Sequence, residues 1–270
     1  MYELEYVKKR KRKKRVAIAG GISVIVISAL SIVAFLGRFV GTFTVSLDTG
    51  NVKLALSERS DFLDPTSYLR VADLVSFQEY TYGYILDKGH DVVDNENYDY
   101  SLGYNGPKET AKSMNFFKYT FFIKNVGNVP CRYDFTINIV DQTASEDGRY
   151  LDDTLRVMIY ENKKDTDHNY TVYGKRSTTP RVDEEGNVDY RSPITVEEDD
   201  ATSEEPFRGY AEMFESAKVI TSFSVGNFDI SDVRRYTIVT WLEGYRTSNL
   251  LPAPKGAKLK LGVKINAYEI

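Results

Sequence analysis

Hydrophobic and polar residues follow two different patterns along the chain, and the change between them falls near residue 40. Residues 16–37 consist only of Val, Ala, Ile, Gly, Ser, Leu and Phe. A helix of this length spans about 33 Å, slightly more than the roughly 30 Å hydrocarbon core of a bilayer. The segment is apolar on every face and lacks the single apolar stripe of a helix packed on a soluble core. The pattern therefore predicts a transmembrane helix over residues 16–37.

A run of basic residues directly precedes this segment, and only Arg38 follows it. The run consists of Lys8, Lys9, Arg10, Lys11, Arg12, Lys13, Lys14 and Arg15. Lys and Arg beside a first apolar helix stay on the cytoplasmic side, so we predict a cytoplasmic tail at 1–15 and an extracytoplasmic domain at 41–270. The apolar run exceeds the roughly 7–15 residues of a signal peptide core and lacks a small-residue cleavage site. These features favour a retained signal anchor over a cleaved signal peptide.

From Gly41 onward, apolar residues alternate with polar ones, which is typical of half-buried strands. Two alternating runs, Phe43–Leu47 and Val52–Leu56, flank the turn-forming residues Asp48–Asn51. This arrangement predicts a β-hairpin.

Further strands are predicted from alternation or from dense β-branched and aromatic content. They are Asn115–Lys124, Cys131–Ile139, Leu155–Ile159, Tyr170–Tyr173, Val219–Val225, Arg235–Leu242 and Lys258–Tyr268. A capping box at Thr202–Glu205 predicts a short helix reaching Phe214, and Asp64-Pro65 predicts the start of a short helical segment. The fold class expected is mainly β, a jelly roll or β-sandwich with one or two short helices behind a single transmembrane helix.

Two stretches interrupt the strand pattern. The first, at about 57–110, is predicted to be an irregular insertion, and the second, at about 176–200, an exposed acidic loop. The insertion is rich in tyrosine, whose ring and polar hydroxyl are common in recognition surfaces. We predict an interaction surface formed by Tyr80, Tyr82, Tyr84, Tyr98, Tyr100 and Tyr104. The alternative is that these rings pack onto the sheet with their hydroxyls exposed.

Charge is distributed unevenly. The whole chain has a formal net charge of −4, but residues 39–270 carry 26 basic and 37 acidic side chains, which puts the exported part near −11. Nucleic-acid binding requires a positive footprint, so we predict that the chain does not bind nucleic acid. The basic run at 8–15 is explained as the signal that orients the membrane segment.

The residues that usually carry catalysis or bind metals are sparse. The two histidines, His90 and His168, are far apart in sequence, and the chain has no zinc-binding helix motif, nucleophile elbow, phosphate loop or dinucleotide fingerprint. We therefore predict no catalytic residues, no cofactor and no metal site. Asp165–Asn169 matches the start of an EF-hand loop, but Tyr170 replaces its glycine and Arg176 its bidentate acid.

A looser Ca²⁺ site remains as an alternative to this expectation. Its candidate ligands are Asp94, Glu96, Asp99 and the run Glu197–Asp200. Oxygen ligands of this kind suit a hard cation.

Two residue types occur only once in the chain. Cys131 has no partner for an intrachain disulfide and is predicted to be a small apolar core residue at a strand start, with a reactive thiol as the alternative. Trp241 is predicted to be a core residue beside Leu242, with ligand stacking as the alternative.

Three stretches together resemble the camelysin/TasA family of Gram-positive surface and biofilm-matrix proteins, over about a third of the chain. They are Gly41-Thr-Phe-Thr-Val with Gly50-Asn-Val-Lys-Leu, then Phe122-Ile-Lys-Asn-Val-Gly-Asn, and Tyr236-Thr-Ile-Val-Thr-Trp-Leu-Glu-Gly244. The resemblance implies an export segment, a jelly-roll domain and assembly by strand exchange, with Gly41–Leu47 as the candidate donor strand. The chain departs from the family at Tyr245-Arg246, where an Asp-Pro pair is expected, and in lacking an evident cleavage site.

The function expected from these observations is that of a membrane-anchored bacterial surface protein without catalysis. Its partners would be the lipid bilayer and another protein or envelope component. One alternative is a cleaved, secreted matrix or fibre subunit that assembles with itself by β-strand exchange. The other is an extracytoplasmic hydrolase.

Overall fold

The computed structural model describes residues 43–48, 52–71, 79–83, 85, 116–161, 170–195, 207–243 and 254–270. These residues form sixteen strands. The strands are β1 Phe43–Asp48, β2 Leu54–Ser57, β3 Tyr68–Val71, β4 Glu79–Tyr80, β5 Phe117–Asn125, β6 Cys131–Thr143, β7 Leu155–Glu161, β8 Tyr170–Gly174, β9 Arg181–Val182, β10 Val188–Asp189, β11 Pro193–Thr195, β12 Phe207–Tyr210, β13 Glu212–Met213, β14 Val219–Phe228, β15 Val233–Glu243 and β16 Lys258–Glu269. A single 3₁₀ turn, Leu151–Asp153, precedes β7.

Most of the strands belong to two sheets. The five-stranded sheet has the order β14, β6, β16, β1, β3. The seven-stranded sheet has the order β13, β8, β7, β15, β5, β2, and β4 pairs with the end of β15. Two further pairs, β9 with β10 and β11 with β12, stand apart from these sheets. The chain is therefore mainly β, with several sheets, in agreement with the predicted β-sandwich class.

A core rich in aromatic side chains joins the inner faces of the two sheets. Phe135 of β6 stacks on Phe121 of β5 with ring centres 6.3 Å apart, and lies 4.6 Å from the ring of Tyr236 in β15. The hydroxyls of Tyr133 and Tyr236 form a buried hydrogen bond of 2.8 Å. Desolvation raises the pKa of both phenols, so each stays neutral and hydrogen-bonded within the core.

Strand β16 has one dry and one wet face, as its alternation predicts. Leu261, Val263 and Ile265 are buried, whereas Lys264 is exposed. The strand pairs antiparallel with β6 and parallel with β1. At the start of β6, Cys131 is fully buried and desolvation raises the pKa of its thiol, which confirms its prediction as a core residue.

The predicted hairpin between Phe43–Leu47 and Val52–Leu56 is wrong. Strand β1 pairs with β16 and β3, whereas β2 pairs with β5 in the other sheet. Alternation identifies the face that a strand buries but not its neighbour, and in a sandwich two consecutive strands can bury those faces from opposite sheets. All four residues of β2 are buried, although β2 is the last strand in the order of its sheet.

Both predicted helical segments are also wrong where the structure describes them. Residues 207–210 form β12, which pairs with β11, and residues 212–213 form β13, which adds to β8. Gly209 lies against Ile194, whose side-chain carbons would be 3.1 Å from a Cβ atom at this position, and a glycine also weakens a helix. After Pro65, Thr66 bridges to Leu56 and the chain continues as β3. In both places tertiary strand pairing outweighs a local helix signal.

The predicted acidic loop at 176–200 contains regular structure. Strands β9 and β10 form an antiparallel pair whose side chains are largely exposed, and β11 follows. The turn between β9 and β10 is held by Asp183, whose carboxylate accepts hydrogen bonds from the backbone of Glu185 and Asn187. Residues 196–200 lie outside the described part.

No helix among the described residues is long and apolar enough to cross a membrane. Residues 1–42, which include the predicted anchor and the basic run, are not among them. The anchor stays a prediction from the sequence.

The turn between β5 and β6 depends on the buried side chain of Asn125. Its amide nitrogen donates to the carbonyls of Val129 and Phe228 at 2.9 and 3.1 Å, and its amide oxygen accepts from the backbone N–H of Gly127 at 2.9 Å. One side chain therefore closes this turn and ties it to the end of β14. This explains the Asn-Val-Gly-Asn sequence in structural terms.

We expect Asn125→Ala to lower the free energy of unfolding by about 3 kcal/mol, because it leaves a buried N–H and two carbonyls without their partner. Asn128→Ala is the matched control, since Asn128 is exposed in the same turn. Chemical denaturation followed by circular dichroism measures both variants. Equal stability of the two would contradict the role given to Asn125.

Candidate functional site

The seven-stranded sheet is covered on its outer face as well as on its inner face. A second cluster of buried side chains lies on this outer face. It consists of Ile85, Phe116, Met158, Tyr160, Val172, Ile194, Ala211, Val239 and Trp241. Residues 79–83, Ile85 and β11 thus contribute to a layer outside the sandwich core.

Two tyrosines of the predicted interaction surface pack into this layer. The ring of Tyr80 meets that of Phe116 edge-on at 5.6 Å. Tyr82 stacks on Trp241 with ring centres 6.3 Å apart, and its hydroxyl is hydrogen-bonded to that of Tyr170. Both residues are half-buried. Of the other predicted members, Tyr84, Tyr98, Tyr100 and Tyr104, none is among the described residues.

Trp241 is fully buried, which confirms its prediction as a core residue. It lies in the outer cluster, on the face of β15 opposite to Leu242, which joins the inner core. Its indole N–H donates to the carboxylate of Glu243 at 2.8 Å. Glu243 is itself fully buried, and its backbone N–H donates to the carbonyl of Thr154 at 2.8 Å. The Trp-Leu-Glu sequence therefore places a carboxylate inside the protein.

A buried cation accompanies this carboxylate. Arg156 of β7 is the direct cross-strand neighbour of Trp241 and is fully buried. Its guanidinium donates to the carbonyl of Pro193 through two nitrogens at 3.2 and 3.0 Å, and to that of Leu155 at 2.9 Å. Desolvation lowers the pKa of Arg156, and the nearby charge of Glu243 only partly opposes this shift. The guanidinium nevertheless remains a cation.

A glycine opposite Arg156 leaves space for its side chain. Gly174 of β8 is the register partner of Arg156 on the other side. A Cβ atom at Gly174 would be 3.1 Å from Ala211 and 3.3 Å from the Arg156 side chain. We name Arg156, Trp241 and Glu243 the buried polar network. This network links β7, β15 and β11, the strand that follows the antiparallel pair of β9 and β10. Because its charges are fully buried, its present geometry suits positioning of the outer layer and not contact with a soluble ligand.

The five-stranded sheet differs, because its outer face is polar and exposed. One row across this face consists of Tyr68, Ser46, Lys264, Thr136 and Ser222, in the order of the strands. The next row consists of Asp48, Asn266, Asp134 and Ser224. Tyr68 and Tyr268 are each 41% exposed. This face was not predicted as a site. Its polar character could have been predicted from the alternation in β16, whose polar residues are Lys258, Lys260, Lys264 and Asn266.

Within the described ranges, no group of three or more His, Cys, Asp or Glu side chains is placed to hold a metal ion. The candidate calcium ligands Asp94, Glu96, Asp99 and Glu197–Asp200 all lie outside those ranges. The calcium alternative therefore stays a prediction.

Comparison of the chain with protein-family models, curated proteins and solved structures finds no match. The resemblance to camelysin/TasA proteins stays an expectation based on the short motifs. The structural roles of Asn125, Trp241 and Glu243 explain two of those motifs by packing within this chain.

We expect Glu243→Gln to lower the free energy of unfolding by about 3 kcal/mol, because it leaves the buried charge of Arg156 uncompensated. Glu161→Gln is the matched control: Glu161 pairs with Arg234 at 2.8 Å, both side chains are about a third exposed, and its loss should cost under about 1 kcal/mol. Urea denaturation followed by the fluorescence of Trp241, the only tryptophan, measures both. A Glu243 variant as stable as the Glu161 variant would refute the network's role.

Proposed function

We propose that this chain is a membrane-anchored surface protein, whose domain at 41–270 binds another protein or an envelope component outside the membrane without catalysing a reaction. The observation that carries the proposal is the sequence of topogenic signals: eight consecutive cations, a charge-free segment at 16–37, and a β-rich unit that begins within a few residues of it. The β domain has its own core, which suits a module displayed on a tether.

The two sheets suggest which surfaces serve binding. The seven-stranded sheet is buried on both faces, so interaction there would involve the covering layer and the tyrosine-rich segment that continues from it. The five-stranded sheet presents an open polar face. Binding is favoured over catalysis because the two charged side chains that are fully buried among the described residues, Arg156 and Glu243, form hydrogen bonds with the protein itself.

A second candidate function is that of a fibre subunit assembling by strand exchange. The observation in its favour is the position of β1, which lies between β16 and β3 and is separated from β16 by more than two hundred residues in sequence. A copy of β1 from a neighbouring subunit would fit the same place and make the same backbone hydrogen bonds. This alternative requires that the chain be cleaved before β1.

We expect protease added to intact cells to digest the domain at 41–270, while an N-terminal fragment stays in the membrane fraction, because the basic run holds the tail in the cytoplasm. Immunoblotting with a C-terminal tag measures the loss, and N-terminal sequencing of the native protein locates its start. A C-terminal domain that resists protease until the cells are permeabilised would refute the orientation. A mature N-terminus between Ala34 and Thr44 would favour the fibre subunit.

We expect replacement of residues 88–110 by a Gly-Ser linker to abolish crosslinked complexes that a membrane-impermeant reagent captures on cells, because three of the predicted recognition tyrosines, Tyr98, Tyr100 and Tyr104, would be lost. The replacement keeps Tyr80, Tyr82 and Ile85, which cover the outer face near Trp241. Tyr82→Phe is the control, since it removes a hydroxyl but no ring. Complexes that survive the replacement would exclude this segment as the binding surface.

A further inference from the structure

Four aromatic side chains that can be oxidised lie in contact on the outer face of the seven-stranded sheet. Tyr82 stacks on Trp241 with ring centres 6.3 Å apart, and its ring centre lies 6.4 Å from that of Tyr170. Tyr170 begins β8, and its ring centre lies 5.1 Å from that of its cross-strand partner Tyr160 in β7. Trp241 and Tyr160 are buried, whereas Tyr82 and Tyr170 are half-buried. The two half-buried phenols therefore form the part of this group that solvent can reach.

The hydroxyls of Tyr82 and Tyr170 are hydrogen-bonded to each other, so the two rings meet at their hydroxyl ends. A phenol loses an electron more readily when its proton can move to a hydrogen-bonded acceptor at the same time, and a second phenolic oxygen is such an acceptor. The unpaired electron of the resulting phenoxyl radical is shared with the ring carbons next to the oxygen. These carbons belong to the ends of the rings that meet, so the pair is placed for radical coupling.

Tyr133 and Tyr236 form a second pair of hydrogen-bonded phenols, which provides an internal comparison. Both residues are fully buried between the two sheets. The ring centre of Phe135 lies 4.6 Å from that of Tyr236, and Phe228 meets Tyr133 edge-on at 5.2 Å. An oxidant in water makes no contact with this pair, and close packing prevents its rings from turning toward each other. A hydrogen bond alone is therefore not sufficient, and exposure to solvent distinguishes the pair in the outer layer.

We propose that Tyr82 and Tyr170 are a site of oxidative cross-linking, at which a diffusible one-electron oxidant derived from a peroxide joins the two rings as dityrosine. Each phenol gives one electron to the oxidant and one proton to solvent. The two phenoxyl radicals form a carbon–carbon bond between the ring positions next to the hydroxyls, and the hydrogens on those carbons move to the oxygens. One bond forms, two hydrogens leave the chain, and the two electrons cleave the oxygen–oxygen bond of one peroxide.

The cross-link fastens residues 79–83 of the covering layer to β8 by a covalent bond between positions 88 residues apart in sequence. The chain has a single cysteine, so an intrachain disulfide cannot supply such a bond. A covalent link between distant residues restricts the unfolded chain and thereby stabilises the folded one. The inference goes beyond the proposed function and does not depend on it, because the reaction requires only the folded domain and an oxidant.

The test is photochemical oxidation of the full chain in detergent, with a ruthenium tris-bipyridyl complex and persulfate as the probe. A mixture of unlabelled and isotope-labelled chains separates links within one molecule from links between two. Mass spectrometry of the tryptic digest should show the Tyr82 peptide joined to the Tyr170 peptide, with the loss of two hydrogen atoms and without mixed labels. The linked chain should also unfold at a higher urea concentration than the unlinked chain, because the link closes a long loop.

Matched variants on the same two tryptic peptides make the test specific. Tyr82→Phe and Tyr170→Phe should each abolish the linked peptide, because each removes one phenol. Tyr80 shares a tryptic peptide with Tyr82, and Tyr173 shares one with Tyr170, so Tyr80→Phe and Tyr173→Phe should leave the link intact. Circular dichroism checks that all four variants are folded.

Three results would overturn the proposal. The first is the absence of the linked peptide from the oxidised chain, and the second is a link that survives Tyr82→Phe. The third is an equal yield from chain unfolded in urea, since the reaction would then not depend on the contact between the two phenols.

Discussion

The packing of aromatic rings between the two sheets is the interaction on which the rest of the domain depends. Phe121, Phe135 and Tyr236 bring three strands from both sheets together, and the hydroxyls of Tyr133 and Tyr236 satisfy each other in the same region. The chain has a single cysteine, so no intrachain disulfide supplements this packing. A buried polar pair in an apolar core also fixes the alignment of the sheets, because a shifted register would leave both hydroxyls without a partner.

The two sheets then differ in what covers them. The outer face of the seven-stranded sheet carries Arg156 and Glu243, which are stable there only because Trp241, Pro193 and each other's charge compensate their removal from water. The outer face of the five-stranded sheet carries lysines and small polar groups that remain in water. The outer face of the seven-stranded sheet thus contributes to the stability of the domain. The side chains on the outer face of the five-stranded sheet can be substituted without loss of the core.

Sequence patterns predicted the strands well and their partners poorly. Alternation predicted most of the length of β6 and β16, because a half-buried strand has apolar residues on one face and polar residues on the other. The same signal could not tell that β1 and β2 enter different sheets, since both bury their apolar side chains in one shared core. The capping box at Thr202–Glu205 is a local signal, and the strand pairing of residues 207–213 with β11 and β8 depends on segments that are distant in sequence.

The buried polar network could not be predicted from the sequence, for a related reason. Arg156 alternates with Leu155 and Val157, so its position is that of a wet face, and only the covering layer makes it buried. Trp241 could be predicted as a core residue from its size and type, and strand alternation places it on the face opposite to Leu242. The nearly continuous apolar run of β15 indicates that both faces are covered, but it does not identify the segments that cover the second face.

The position of β1 shows how far the fold depends on contacts that are distant in sequence. This strand pairs with β16 although more than two hundred residues separate the two strands along the chain. Pairs of this kind form only after a long segment between them has been ordered, because the entropy of closing that loop is lost before the contact stabilises the chain. The five-stranded sheet therefore depends on segments from both ends of the described residues, and a local signal such as a hairpin turn could not have fixed its strand order.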